Sequence, residues 1–433
     1  MNNILKLLAV FFIAFQSQAQ ELLTVEEAVR IALENNYEIR IASNDLEIDK
    51  TGVSIGNAGM LPAIGATANS NNSIQNSSQT RADGNTIELD DALNNNLNYG
   101  VVMDWTIFDG FRMFARYNQL KELENLSEAQ LQQTILAKVS DVMITYYDLV
   151  QQQQQLTALD STLVISDQRL RLADNRFSIG KSSKLEVLNA QVDMNTDQTM
   201  QLRQQELYKN TKIRLNQILA RDTKIEFSVI DEIPVDDELF LPVLEELALQ
   251  QNPLLQAQVI ANNIAKLELK QVRAGRYPTL VASTGYQFSE SESSLGFISF
   301  GKSRGWNYGL SARMNIFDGF NQNQNEQIAK IQIENTELVI EQQTLDLQSQ
   351  LGTAYQTYIT NISLIELERN NEAIAKENLD ITMEKFRIGT IPTIEFRTAQ
   401  LNYINAIVRH SNARFQAKLS EISLKEFAGN LTF

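Results

Sequence analysis

One stretch of the 433-residue sequence carries the residue types of nucleotide chemistry: "GFISFGKS", Gly296 to Ser303, satisfies the phosphate-loop pattern G-x-x-x-x-G-K-[ST]. That chemistry needs a strand before the loop and a helix after it, so that backbone N–H groups and the helix dipole converge on a phosphate. The residues that follow, "RGWNYGLSARMN", alternate in polarity and read as a strand, which assigns the segment to a hairpin loop. His410 is the only histidine and stands beside Arg409 with no nucleophile motif near it; it reads as a solvated residue on a helix surface. No H-E-x-x-H or equivalent metal spacing occurs. The absence of cysteine excludes disulfides, thiolate metal sites and a cysteine nucleophile. The expectation is no catalytic, cofactor-binding or metal residue, no cofactor, and a protein that is not an enzyme. A formal net charge of −16 gives no electrostatic case for nucleic acid.

The elements around these residues say more than the residues do. "MNNILKLLAVFFIAFQSQAQ" places Lys6 before an apolar run, Leu7 to Phe15, and then small residues at Ser17 and Ala19. This is the form of a secretory signal over residues 1–19, cleaved after Ala19. The alternative, a membrane anchor, needs an apolar run of about 20 residues.

The chain is written twice. "NYGVVMDWTIFDGF" (Asn98 to Phe111) returns as "NYGLSARMNIFDGF" (Asn307 to Phe320) with eight of fourteen positions identical. "RFSIGKSSKLEVLNAQ" (Arg176 to Gln191) returns as "KFRIGTIPTIEFRTAQ" (Lys385 to Gln400), and Asn36, Gly59 and Pro62 return as Asn252, Gly275 and Pro278. Each half reads as short helix, strand, polar loop, strand, long helix, tight turn, long helix. The expected organisation is a first repeat over 20–220, an inter-repeat segment over 221–242, and a second repeat over 243–433. Strands are expected at about 61–71, 97–108, 278–289 and 305–317, with a polar loop in the Asn- and Ser-rich stretch between the first two.

These strands alternate. Tyr99, Val101, Met103, Trp105 and Ile107 oppose Asn98, Gly100, Asp104 and Thr106, and in the second copy Tyr308, Leu310, Ala312, Met314 and Ile316 oppose Asn307, Gly309, Ser311, Arg313 and Asn315. Period two with one apolar face is a sheet wet on one side. The helices beyond them are long: no Pro or Gly occurs from Phe111 to Ile179, and only Gly352 from Phe320 to Ile388. Leu367, Ile374, Ile381 and Ile388, then Ile394, Leu401, Val408, Phe415 and Ile422, recur every seven residues, which implies paired, supercoiled helices. Asp109, Gly110, Asp318 and Gly319 mark the strand-to-helix junctions, Gly for positive φ and Asp to bond nearby N–H groups.

Four strands cannot sit in a bilayer alone, because unpaired edge N–H and C=O groups cost several kcal/mol each in hydrocarbon. Closure takes at least ~8 strands. Two copies give 8 and a lumen filled by side chains; three give 12 and a bore wide enough for water, which small Gly100, Gly309 and Ser311 suit.

The repeated strand–"FDG"–long helix unit and the paired turns "FSIGKSSKLEVLNA" and "FRIGTIPTIEFRTA" resemble the TolC-type outer membrane efflux proteins over the whole mature chain. The resemblance implies a mainly α fold with a membrane β-barrel. Four strands per chain complete a 12-stranded trimeric barrel, and long coiled-coil helices form a periplasmic α-helical barrel with an equatorial belt. It implies a homotrimer in the outer membrane of a Gram-negative bacterium, in contact with its lipid. Its partners are a periplasmic adaptor and an inner-membrane transporter, for which the chain is a passive exit duct. The adaptor-contacting tips correspond to Ile179, Gly180, Lys181, Ser182, Ile388, Gly389, Thr390 and Ile391. The periplasmic constriction corresponds to Glu186, Asn189, Glu395 and Thr398, where like charges crowded around one opening raise carboxylate pKa values; ordinary surface acids are the alternative for the two glutamates. A pore-free periplasmic coiled-coil structural protein is the alternative for the whole chain.

Overall fold

The computed structural model describes residues 21–294 and 298–431; the expected signal segment and Gly296 lie outside the described residues. The chain forms two compact units. One contains the residues up to Asn44, Ala129–Gln256 and Glu341 onward; the other contains Asp45–Glu128 and Ala257–Ile340.

The first unit holds the inter-repeat segment and the turns between the long helices. Strand β1 (Glu21–Leu23) pairs in parallel with β4 (Phe227–Val229), joining the start of the first repeat to the inter-repeat segment. Helix α1 (Val25–Asn35) begins at Thr24, whose hydroxyl accepts the Glu27 N–H at 3.2 Å. The single short helix expected in each half is in fact two, because an asparagine interrupts it. Asn36 separates α1 from α2 (Tyr37–Gly52), accepting the Glu38 N–H and donating its amide to the Ile218 carbonyl at 2.8 Å. Asn252 does the same between α5 (Leu241–Gln251) and α6 (Pro253–Ala274), accepting from Leu255 and donating to the Phe427 carbonyl at 3.0 Å. Each buried asparagine thus ties its helix break to the end of the long helix returning in its own repeat: α4 (Lys184–Ile218) in the first and α8 (Thr393–Phe427) in the second. A belt core of Leu23, Val29, Tyr146, Leu215, Phe227 and Ile422 packs around these points. The inter-repeat segment is bound into it: the Tyr358 hydroxyl donates to the Asp236 carbonyl at 2.6 Å, and the Arg414 guanidinium donates to the Ile233 carbonyl. Burial pushes the Tyr358 phenol up to about 12.

Helices α3 (Arg112–Ser178) and α7 (Asn321–Ile388) run unbroken for 67 and 68 residues. The heptad rows divide between two fates. Ile422 is buried, but Ile374, Ile381 and Ile388 of α7 are 67%, 51% and 73% exposed. Leu185, Leu188 and Val192 on α4 are exposed as well. The sevenfold repeat on α7 is therefore not a seam closed within one chain.

The second unit is built on an antiparallel sheet in the order β2–β3–β5–β6, formed by Ala63–Thr80, Thr86–Phe108, Thr279–Ser293 and Phe300–Arg313. The repeats meet at β3–β5, so β2 and β6 are the edges. Each strand overruns its expected span at the turn end, while β6 stops at Arg313, short of the expected 317; the expected polar loop is mostly strand, since β2 and β3 continue to a turn at Arg81–Asn85. Asn and Ser gave no polarity contrast there, because both faces of that stretch are wet, yet the backbone pairing runs on, with Asn71 opposite Asn96 and Asn72 opposite Asn95. Register aligns the two faces across all four strands. Ala66, Val101, Tyr286 and Trp306 form one row and Ile64, Met103, Thr284 and Tyr308 the next, while Thr67, Gly100, Gln287 and Gly305 form a row of the other face. Gly100 and Gly285 flank the Val101–Tyr286 pair, and a Cβ on Gly100 would stand 2.4 Å from the Tyr286 carbonyl oxygen. The sheet coils too closely there for a side chain.

At the junctions, Asp109 carboxylate oxygens accept the Met113 N–H at 3.0 and 3.2 Å, and the Asp318 carboxylate accepts the Gln322 N–H at 2.8 Å. Positive φ extends one residue past each glycine, to 69° at Phe111 and 65° at Phe320, a conformation that costs an L-residue about 1–2 kcal/mol. Phe111 and Phe320 pack edge-on against Phe108 and Phe317, with ring centroids 5.2 and 5.4 Å apart.

Candidate functional site

The two helix turns are built alike. The Gly180 N–H donates to the Phe177 carbonyl and the Lys181 N–H to Arg176; in the second repeat Gly389 donates to Phe386 and Thr390 to Lys385. These are Schellman caps, which need a left-handed residue at the turn, and the φ values are 75° at Gly180 and 80° at Gly389. Ile179, Lys181, Ile388 and Gly389 are exposed and Ser182 is half-buried. The Thr390 hydroxyl donates back to the Lys385 carbonyl. Ile391 departs from an outward-facing tip: it packs against the buried cluster of Leu379, Phe386, Phe396 and Ala399.

Glu186 is tied down. Its carboxylate accepts hydrogen bonds from the Ser182 hydroxyl and, at 2.7 Å, from the Thr393 hydroxyl of the second repeat. Arg176 stands 4.0 Å away and itself donates to the Phe386 carbonyl, locking the two turns together. Burial alone would raise the carboxyl pKa; the Ser182 and Thr393 hydroxyls and the Arg176 and Arg169 charges outweigh it, and the group lies below its ordinary value. Within one chain Glu186 thus meets donors and cations rather than other acids. Asn189, Glu395 and Thr398 are exposed, and the Thr398 hydroxyl is engaged by the Ile394 carbonyl of its own helix. Of the expected constriction residues, only Glu186 is part of a built cluster.

Beneath the turns lies a buried network that the sequence reading missed. Arg397 grips Asp197 through two hydrogen bonds of 2.7 Å, and Ser166 donates to the same carboxylate at 2.6 Å. Gln400 accepts from Arg397 and donates to Ser166. Arg169 pairs with Asp193, which also faces Arg397 at 3.8 Å. The network joins α3, α4 and α8. A signal was present: Arg397 stands where the first repeat has Leu188, between buried Phe396 and Ala399. A charge replacing an apolar residue beside the buried face of an otherwise matched helix announces a partner.

Elsewhere, Lys302 and Ser303 lie inside β6, so the phosphate-loop spelling runs into a strand where that chemistry needs a helix. His410 is not solvated as expected: its Nδ1 is 2.6 Å from a Glu372 carboxylate oxygen, joining α8 to α7. Among the described residues no cluster of His, Asp and Glu could hold a metal, and no helix is long and apolar enough to cross a membrane.

With this geometry established, comparison with known proteins adds three findings. The family model described as "Outer membrane efflux protein" matches residues 28–221 and 244–430, leaving out the inter-repeat segment. Protein CyaE of Bordetella pertussis is 24% identical over 418 residues, covering 94% of this chain and 84% of its own; the outer membrane protein TolC of Escherichia coli is 20% identical over 432 residues, covering 96% and 83%. The solved outer-membrane channel OprN superimposes with a TM-score of 0.76 at 17% identity, covering 94% of this chain and 90% of its own.

Proposed function

The chain belongs to the outer membrane efflux protein family, and from that premise we propose how it makes its duct. It is a TolC-type outer membrane channel reaching into the periplasm, and not an enzyme. Three copies close one 12-stranded barrel, β6 of each pairing with β2 of the next. The observation that carries this is the sheet itself: an apolar face in register across four strands, flanked by two unpaired edges. In hydrocarbon those edges must be paired, and among the described residues the unit has no other strand to pair them. A bilayer accommodates about 9–11 residues of a tilted strand, so β3, with 23 residues, carries the wall beyond the lipid on the side of the Arg81–Asn85 turn.

The open apolar rows support the same assembly in the periplasm. Ile374 and Ile381 of α7 on one copy pack against Leu185, Leu188 and Val192 of α4 on the next, giving a closed ring of helices. The tips, Ile179 to Ser182 and Ile388 to Thr390, dock a periplasmic adaptor that connects the duct to an inner-membrane transporter, with Ile391 packed behind them. Glu395, Asn189 and Thr398 face the constriction, with Glu186 holding its frame. Residues 1–19 act as a cleaved export signal. Both small molecules and polypeptides fit a duct whose energy and selection come from the transporter.

The test is the mass of the purified protein in mild detergent together with conductance in a planar bilayer. A trimer with ion conductance is expected; a non-conducting monomer in the soluble periplasmic fraction returns the pore-free coiled-coil reading.

A further inference from the structure

We propose, building on the ring of copies inferred above, that each chain seats the turn after its α2 on the start of α7 of the next chain. This repeats between copies a joint that the two repeats already make within one copy.

The joint inside the chain is the template. β3 of the first repeat pairs with β5 of the second, and the elements beside that pairing, the β3–α3 junction and the end of α6, meet as well. Gly110 is buried there, and a Cβ on it would stand 2.5 Å from the Ala274 carbonyl oxygen and 2.8 Å from the Tyr277 Cβ. Farther along the same two helices the Gln271 amide donates to the side-chain oxygen of buried Gln119 at 2.9 Å.

The second repeat has the same junction, left open. Gly319 is exposed, and only the Asn321 side chain comes within 4 Å of a Cβ placed on it. In the register that sets Gly110 on Gly319, buried Gln119 corresponds to Ile328, which is 64% exposed. The segment that would cover this junction is open too. In the register that sets Gly59 on Gly275, Ala274 and Tyr277 correspond to Ala58 and exposed Leu61, and Gln271 corresponds to Ile55, 48% exposed. Helix α2 ends at Gly52 where α6 runs on to Ala274, but the Ala58 N–H still donates to the Ser54 carbonyl at 3.1 Å, a helical turn that contains Ile55.

Two observations commit the site to a second copy. β6 runs into the Gly319 junction and β2 leaves the turn after α2, so the β6–β2 pairing that closes the ring sets these two open segments side by side, as β3–β5 does within the chain. The side chains also match: two amides meet within the chain, whereas the corresponding pair between chains is two isoleucines. Exposed Ile48 and Ile331 enlarge the two apolar patches. Burial of apolar surface drives association of separate molecules, while the joint within the chain is already held by the strands on either side of it. The Gly319 junction is incomplete in one chain and is finished by the Ile55 turn of its neighbour.

The test uses the absence of cysteine from the sequence, which leaves introduced thiols as the only ones. Full-length protein carrying Ile55→Cys with Ile328→Cys, both exposed positions in the single chain, is extracted in mild detergent and its native mass is measured. It is then treated with a short bismaleimide and run on a denaturing gel. Covalent dimers and trimers are expected. Either substitution alone should give monomer, as should Ile55→Cys with Ile388→Cys, because Ile388 lies at the far end of α7, about 90 Å along the helix from Ile328. A native trimer that yields only monomer with the first pair, or controls that link as strongly as that pair, would overturn the proposal and leave the ring standing. A native monomer would overturn both.

Discussion

Replacing Arg397 by leucine, the residue its counterpart Leu188 already has, tests whether the buried network holds the repeats together beneath the tips. The substitution removes two 2.7 Å bonds to Asp197 and leaves that carboxylate, 1% exposed, with Ser166 as its remaining donor. Removing one partner of a buried pair costs about 3–5 kcal/mol, because the other charge stays behind without compensation. At about 1.4 kcal/mol per decade, this is roughly two to four decades in the local opening constant. Hydrogen exchange of the α8 amides around Thr393 to Ile404 reads that constant directly. Their protection should collapse while that of the belt core around Tyr146 and Leu215 is kept. Adding Asp197→Leu should restore most of the loss, since apolar replacement of both members is nearly neutral, and Ser166 still accepts from Gln400 at 2.9 Å. Unchanged exchange in Arg397→Leu, or no recovery in the double variant, would refute the reasoning.

Three further outcomes follow from other parts of the chain. Because the Glu186 carboxyl is held below its ordinary value, its contribution is complete above the unfolded-state pKa and is lost as pH falls through the lower folded-state value; exchange at the tips should quicken on acidification below about pH 4.5, and Glu186→Gln should flatten that limb. Ala220 sits at φ 50° where the second repeat has Gly429 at 76°, so Ala220→Gly should raise stability by about 1 kcal/mol, measured by denaturant melting. Gly429→Ala should lower it, since its Cβ would stand 2.8 Å from the Gln251 carbonyl oxygen. Ile374→Asp with Ile381→Asp should leave the fold of a single chain intact, both side chains being open there, yet shift native mass spectra from trimer to monomer.

Much of the fold was legible because its signals are local. Alternation from Tyr99 to Trp105 fixed a face, and the lack of Pro and Gly after Phe111 fixed a long helix. The doubled "FDGF" marked both junctions, although the positive φ of Phe111 and Phe320 was hidden behind the glycine beside each. Where composition was uniform the reading stopped: Asn72 and Ser73 looked like loop because polarity could not alternate. His410 looked solvated because nothing in the sequence around it pointed to Glu372 on another helix.

The sequence by itself thus determined the doubled architecture and the two-faced strands, since each is written in neighbouring residues or in the likeness of one half to the other. Only the tertiary structure decided which charges are buried and who meets them. Arg397 reaches Asp197 across 200 positions of chain, and Glu186 meets Thr393 across 207. The energy of such pairs depends on distance and on exclusion of water, and helix packing sets both. The same packing left the α7 isoleucines open, which the heptad spacing alone could not distinguish from a row closed within the chain.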